Sequence, residues 1–337
     1  MRRTATERHR PFSERGFHRW LARHLIAGRE GLLPIGDDAA AIVPPPGRVA
    51  VLKVDSLVEG THFLRGSPPR DVGRAAVQVS LSDAAAKGSR PAAVLLALLI
   101  PPETPHRWPE EVARGAEAAA RAVGARLVGG DTKSSDRRAV VSTVLSWGDR
   151  RHLAPRTAAR AGDWLFTTGT VGRGGAAFRD LWRSRAHPTD RLLRRLLEVR
   201  PRLDEGVGLA AVAHAMLDTS DGLAEGAWLL SGASHVRVVL EADRLPWDRT
   251  LGAPDATNPE WRRDAFYGGD YELLAAVPRA DAKVAARWAT RIGRIEPGRG
   301  AYLELEGQRV RLPRAGWDPF AAGAEERRRR SRRGAKH

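Results

Sequence analysis

The sequence predicts two consecutive α/β (α+β) domains. Three observations carry that prediction. The chain has 337 residues, more than one average domain needs. Apolar strand-like runs alternate with segments of helical period along most of its length. The pattern also closes near residue 150 and then restarts. The expected division is a basic N-terminus over 1–12, a first domain over 13–150, a second over 151–320 and an Arg-rich tail over 321–337. Hydrophobic residues make up 42% and charged residues 28%, as in an ordinary folded protein. The chain has no cysteine, which removes disulfides, thiolate metal sites and a cysteine nucleophile.

In the first half, Phe17, Trp20, Leu21, His24, Leu25 and Leu32 recur at near-helical spacing, predicting a helix over 13–33. Val49–Val54 reads as a short strand ending in Asp55. Val72–Lys87 reads as a helix whose apolar face carries Val72, Ala75, Ala76, Val79 and Ala86. Ala93–Ile100 is a buried strand. Glu110–Val123 is an Ala-rich helix closed by Gly124. Arg126–Val128 runs as a strand into a turn, Gly129-Gly130-Asp131-Thr132, and Val140–Trp147 is a further strand. In the second half, strand Trp164–Thr168 leads into the Gly-rich Gly169–Gly175, equally readable as a turn or a phosphate cradle. A helix and a charged connector then cover about 176–200, followed by helix Val207–His214 and strand Ala215–Leu217. Helix Ser220–Leu230, strands Val236–Leu240 and Tyr271–Val277, a helix near 280–290 and a hairpin over Gly298–Leu312 complete the series.

The net charge is +16. Residues 1–30 carry eight Arg against three Glu, and residues 325–337 six Arg and one Lys against two Glu, so the two ends supply +5 each. No nucleic-acid motif accompanies the basic tail, and nucleic acid is not an expected partner. No apolar run is long enough to span a bilayer, and no leader pattern follows Met1. The expected compartment is the cytoplasm.

Aspartates recur where a strand or loop meets a turn: Asp37, Asp38, Asp55, Asp131, Asp218 and Asp221, with Asp83 inside a helical pattern. Taken singly, each reads more readily as a turn or cap residue, Asp221 as the N-cap of the helix after it. As a group in glycine-bounded, apolar contexts they point to a divalent cation, because buried converging carboxylates need one to offset their repulsion. Such a site suits nucleotide-phosphate chemistry. The sequence has no GxxxxGK[ST] loop, no HExxH and no GxSxG elbow.

Six segments carry a resemblance that spans about residues 13–320. They are Ile35-Gly36-Asp37-Asp38-Ala39-Ala40, Val54-Asp55-Ser56-Leu57-Val58-Glu59-Gly60-Thr61-His62-Phe63, Leu81-Ser82-Asp83-Ala84-Ala85-Ala86-Lys87-Gly88, Val128-Gly129-Gly130-Asp131-Thr132, Leu217-Asp218-Thr219-Ser220-Asp221-Gly222-Leu223 and Gly268-Gly269-Asp270-Tyr271-Glu272-Leu273. Each is short, but their order and spacing are specific. The chain resembles the thiamine-monophosphate kinase family, within the superfamily of aminoimidazole ribonucleotide synthetase.

The resemblance implies a two-domain fold whose N-terminal strands form a barrel across a homodimer, with a C-terminal α/β domain over the substrate. It implies transfer of the γ-phosphoryl group of ATP to thiamine monophosphate; the alternative is a related ATP-dependent enzyme with another small substrate. It assigns several Mg²⁺ ions to Asp38, Asp55, Asp83, Asp131, Asp218 and Asp221, with Asp37 as a secondary ligand or neighbour. Gly130, Asp131, Arg156 and Ser220 match ATP contacts. His62 matches a thiamine-phosphate contact, and Trp317 a residue that packs on the thiamine rings. Two departures stand out. Lys53-Val54 precede Asp55 where the family carries hydroxyl residues that help ligate metal, so the lysine's charge is expected to replace part of one metal's role. The Gly269-Asp270 segment is one residue short, which makes Asp270 the expected substitute for an acidic substrate contact.

Overall fold

The computed structural model describes residues 45–183, 189–248, 264–314 and 316, together with Trp20 and His24. Asp37, Asp38, Trp317, most of the 13–33 helix and both basic termini lie outside the described residues. Trp20 and His24 are helical, and their rings stack with centroids 4.6 Å apart.

The fold is mixed α/β with two sheets. The first comprises β1 (Arg48–Val58), β2 (Arg90–Ile100), β3 (Arg126–Ser134) and β4 (Ala139–Asp149), in the order β1-β4-β2-β3. β4 runs antiparallel to β1 and to β2, and β3 runs parallel to β2. Helices α1 (Pro69–Ala85) and α2 (Arg107–Ala122) pack against it. Val72, Ala76, Leu81, Val112, Ala116, Leu98 and Val144 form their common core. The strand period of two divides β1 between faces. Lys53, Asp55 and Leu57 are partly or fully buried, whereas Leu52 and Val54 are 70% and 57% exposed.

The two helices touch backbone to backbone. A Cβ on Gly73 meets the Val112 carbonyl oxygen at 1.9 Å, and one on Gly115 meets that of Arg70 at 1.9 Å. Gly73→Ala is therefore expected to destabilise the protein by about 1–3 kcal/mol in chemical denaturation, through overpacking. Alanine's better helix propensity, worth about 1 kcal/mol, acts in the opposite direction. A neutral or stabilising outcome contradicts this packing.

The second sheet has the order β11-β10-β7-β9-β5-β8-β6. Its strands are β5 (Trp164–Thr167), β6 (Ala215–Asp218), β7 (Arg237–Glu241), β8 (Leu273–Val277), β9 (Thr290–Glu296), β10 (Gly300–Leu305) and β11 (Gln308–Arg311). Helix α6 (Leu223–Ser234) shares one core with Leu217, Val238, Leu274 and Ile295. The opposite face packs Phe166, Met216, Leu273 and Ala275 against α5 (Leu203–Ala210), α7 (Ala282–Ala285) and the end of α1 through Ala85 and Ala86. Helices α3 (Arg173–Arg183) and α4 (Asp190–Leu196) lie between β5 and α5 in the chain.

Helix α1 thus belongs to both layers. Its contact with α5 is close: a Cβ on Gly206 lies 2.2 Å from the Ala85 carbonyl oxygen. The last turns of α1, with Ser80, Ser82 and Asp83, are thereby held where the two sheets meet. Among the described residues no helix is long and apolar enough to cross a membrane.

Two local expectations change. Asp55 does not end its strand, because β1 continues to Val58. Gly129-Gly130-Asp131-Thr132 is not a turn but the middle of β3. Its glycine serves close approach: a Cβ on Gly130 falls 1.8 Å from the Leu96 carbonyl oxygen, beside a register shift between Val94 and Leu95.

Candidate active site

A cavity of about 350 Å³ opens between the two sheets. Asp55, Asp83, Asp218 and Asp221 all line it, as do His62, Arg156, Ser220 and Asp270. Four elements or their flanks deliver the aspartates: Asp55 from β1, Asp83 from α1, Asp218 from the end of β6 and Asp221 from the turn before α6. Asp221 does not cap that helix. The cap is Gly222, at φ 108° and without a side-chain bond.

Lys53 sits among these carboxylates. Its Nζ lies 2.8 Å from Asp83 Oδ2 and 3.2 Å from Asp55 Oδ1. Burial alone would lower its pKa, but hydrogen bonding and attraction to Asp83 and then Asp55 raise it above the ordinary lysine value. Asp55 is raised by burial and by Asp83, against the pull of Lys53. Its Oδ2 accepts from Ser80 Oγ at 3.2 Å, and Ser80 Oγ is 2.7 Å from Ser142 Oγ.

Asp218 is the most enclosed of the group. Ser82 Oγ donates to its Oδ2 at 2.8 Å and Ser220 Oγ to its Oδ1 at 3.1 Å. Burial and the neighbouring Asp83 push its carboxyl up to about 6. Below it, Lys87 Nζ donates to the carbonyl oxygens of Ala154 at 3.0 Å and Met216 at 2.9 Å. Burial and the Arg156 charge lower this lysine to about 8.

The segment Gly268–Leu273 supplies much of the remaining boundary. Gly269, at φ 98°, passes so close to Gly174 that a Cβ on Gly174 falls 2.4 Å from the Gly269 carbonyl carbon. Asp270 accepts from the backbone N–H groups of Gly172 at 2.8 Å and Gly174 at 2.7 Å. It thereby occupies the start of α3, and the Gly-rich loop spends these donors on a carboxylate of its own chain. Burial pushes Asp270 up to about 7 despite those donors. Tyr271 takes a left-handed backbone, φ 54°, uncommon for a bulky residue. Burial, then Asp218 and Asp55, raise its phenol well above the ordinary range. Glu272 accepts from Arg202 Nε at 2.7 Å and Nη2 at 2.5 Å, and from Thr168 Oγ1 at 2.6 Å.

His62 Nδ1 accepts from the Val58 N–H at 3.1 Å, so the neutral ring carries its proton on Nε2. Burial lowers its pKa, keeping the ring neutral at pH 7 and above. Arg173, Arg195, Arg200 and Arg202 line the same cavity as Arg156. An acidic cluster and several guanidinium groups therefore share one space, an arrangement suited to a cation and phosphate oxygens together.

The structure does not bring every candidate to this cavity. Gly130 lies level with Asp55 across the sheet, through the register Asp55–Ser142–Leu96–Gly130. Three strand spacings separate them, about 14 Å. Asp131, one residue further on β3, is exposed, and its Oδ1 accepts from Lys133 Nζ at 2.7 Å. Among the described residues no three His, Asp or Glu side chains are grouped closely enough to hold a metal ion. Sequence reasoning missed Lys87, Tyr271 and the Arg202–Glu272 pair. Its signal for Lys53 was available: two residues before Asp55 in a strand is the same face.

Residues 36–148 match the family model described as AIR synthase related protein, N-terminal domain. The thiamine-monophosphate kinase of Mycobacterium tuberculosis is 35% identical over 305 residues, covering 88% of this chain and 89% of that protein. The crystal structure of thiamine-monophosphate kinase from Stenotrophomonas maltophilia K279a superposes with a TM-score of 0.76 at 30% identity, covering 89% of this chain and 99% of that one. The AaThiL complex with AMPPCP and TMP gives a TM-score of 0.70 at 27% identity, covering 94% and 98%.

Proposed function

The chain belongs to the thiamine-monophosphate kinase family, and from that premise we propose that it transfers the γ-phosphoryl group of ATP to the phosphate of thiamine monophosphate. The products are thiamine diphosphate and ADP. The observation that carries this reading is the convergence of Asp55, Asp83, Asp218 and Asp221 on one cavity that arginines also line. The relative AaThiL, complexed with AMPPCP and TMP, supports the same pair of ligands here.

The acceptor oxygen belongs to a phosphate and is already anionic near neutral pH, so the reaction needs no strong general base. A bond forms from that oxygen to the γ-phosphorus as the bond to the β–γ bridging oxygen breaks. The protein's task is to align two polyanions and offset their charge. Arg156, Arg173 and Arg200 bind phosphate oxygens, with Ser220 and, by resemblance, Gly130 on the ATP side. His62 donates from Nε2 to the acceptor phosphate. Asp270 shapes the acceptor end by holding the Gly172–Gly174 backbone, and Trp317 is assigned to the thiamine rings.

Carboxylates and the Ser220 hydroxyl are hard oxygen donors, the type that suits Mg²⁺. In this reading Asp218 and Asp221 would hold it, joined by Asp38, by resemblance, and by substrate oxygens. Asp131, three strands away across the sheet, would by resemblance hold a separate ion. Bound Mg²⁺ supplies neutralisation of the charge that develops on the transferring group.

The first domain, over 13–150, carries the nucleotide and the second, over 151–320, covers the substrate. The enzyme works in the cytoplasm, where ATP is supplied. The exposed Leu52, Val54 and Leu95 on the open first sheet favour its pairing with a second copy, closing a barrel across a homodimer. A coupled assay tests the function: ADP release is expected with Mg²⁺, ATP and thiamine monophosphate, and not with free thiamine. Turnover only with an aminoimidazole-type or other acceptor overturns the substrate while keeping the superfamily.

A further inference from the structure

We propose that the Lys53 ammonium occupies the position between Asp55 and Asp83 that a divalent cation would otherwise take, as a cation built into the chain. The proposal rests on the kinase reading of the cavity and goes beyond it. Three observations carry it. Lys53 Nζ contacts carboxylates from two different elements, Asp83 on α1 at 2.8 Å and Asp55 on β1 at 3.2 Å. That is bridging, the geometry of a shared counterion. Both carboxylates are partly buried, 23% and 29% exposed, and so are costly to leave facing each other without a positive charge.

The second observation is the choice of residue. The chain has 51 Arg and five Lys, yet two of those five, Lys53 and Lys87, stand beside this acidic cluster. Arginine spreads its charge over a planar fork, whereas an ammonium is a compact point charge that several oxygens can surround. Where the chain otherwise uses arginine, it here uses the side chain that most resembles a small cation. The third is position. Lys53 lines the same cavity as Asp218, Asp221 and Ser220, the oxygen donors that would take a metal there together with substrate oxygens.

The consequence is a division of labour. Part of the charge of Asp55 and Asp83 is offset permanently by one side chain, which lessens their repulsion and keeps the β1–α1 part of the site assembled when Mg²⁺ is scarce. The Asp218–Asp221 part is left to bind exchangeable metal with the nucleotide. Lys53 is a positioning residue in this account, and its removal opens a further divalent site.

The test counts bound Mn²⁺ by electron paramagnetic resonance, with a non-hydrolysable ATP analogue, in the wild type and in Lys53→Thr. One more Mn²⁺ per chain is expected in the variant. Equal, non-zero stoichiometry overturns the Lys53 proposal and leaves the kinase reading intact. No Mn²⁺ binding to the wild type overturns the kinase reading of this cavity, and this proposal with it. If Lys53→Thr does not fold, Lys53→Gln keeps the length without the charge. Its melting temperature should then rise with added Mn²⁺ more steeply than that of the wild type. An unchanged or shallower rise contradicts the proposal.

Discussion

Asp218→Asn is expected to stabilise the metal-free protein and to remove nearly all of its activity. Asp218 is buried at the end of β6, and its carboxyl is pushed up to about 6 by burial and by Asp83. The unfolded carboxyl titrates near 4. Between about pH 4 and pH 6 the folded state therefore holds more protons than the unfolded one, and stability falls as pH rises through that window. Above it the full cost of the buried charge is present, about 3 kcal/mol for two pH units. Asparagine removes the charge. Its carbonyl can still accept from Ser82 or Ser220, and the other serine can accept from its amide because a hydroxyl both donates and accepts. In EDTA at pH 7.5 the variant should melt several degrees above the wild type, and at pH 4 the two should nearly coincide. Turnover with Mg²⁺ should drop at least about 100-fold, because a carboxylate that would hold the metal has been lost. A variant that is less stable at both pH values contradicts the electrostatic account of this residue.

Arg202→Met is expected to destabilise the fold by about 3–5 kcal/mol. The Glu272 side chain is only 6% exposed, and its two oxygens are taken by the Arg202 fork and Thr168. Removing the guanidinium leaves a buried carboxylate with one hydroxyl for company. The packing around the pair leaves little room to relax, since a Cβ on Gly169 meets both Glu272 Oε1 and Arg202 Nη2 within 2.3 Å. Adding Glu272→Gln to Arg202→Met should recover a large part of the loss, because the orphaned charge is then gone. Equal and additive losses in the two single variants would show that the pair is not coupled. The effect is on the junction as well as on stability, because Glu272 adjoins Tyr271 and the Thr219 N–H donates to the Glu272 carbonyl oxygen at 2.7 Å.

Much of the fold is legible in the chain. The apolar run Ala93–Ile100 is a strand, and the helix read over Val72–Lys87 spans Pro69–Ala85. The hairpin around Gly298–Leu312 is β10 and β11. These features rest on local period and on glycines at positive φ, such as Gly124 at 79° behind α2. What could not be read locally depends on distant chain. Gly129-Gly130 has the composition of a turn, yet it lies in β3 because a neighbouring strand's backbone comes close. No spacing rule states that.

The same holds for the site. Asp55, Asp83, Asp218 and Asp221 stood out in apolar, glycine-flanked contexts, but their meeting depends on α1 packing against both sheets, through contacts some 120 residues apart in sequence such as Ala85 with Gly206. Asp131 has the same local signature and lies elsewhere, three strands across. The short Gly269-Asp270 segment points to Asp270 as a substrate contact, whereas its carboxylate is engaged by the Gly172 and Gly174 N–H groups. A carboxylate's neighbours in sequence do not reveal which backbone donors the fold will bring to it. Tyr271 carries no signal of its left-handed backbone, since nothing in a tyrosine favours one.

The most direct measurement is phosphorus NMR of thiamine monophosphate incubated with ATP, Mg²⁺ and the purified protein. The single phosphate resonance of the acceptor should give way to the coupled pair of thiamine diphosphate, with ADP appearing in equal amount, and Asp218→Asn should leave the spectrum unchanged over the same time. Release of inorganic phosphate without the coupled pair, or full conversion by Asp218→Asn, contradicts the assignment of phosphoryl transfer to this cavity.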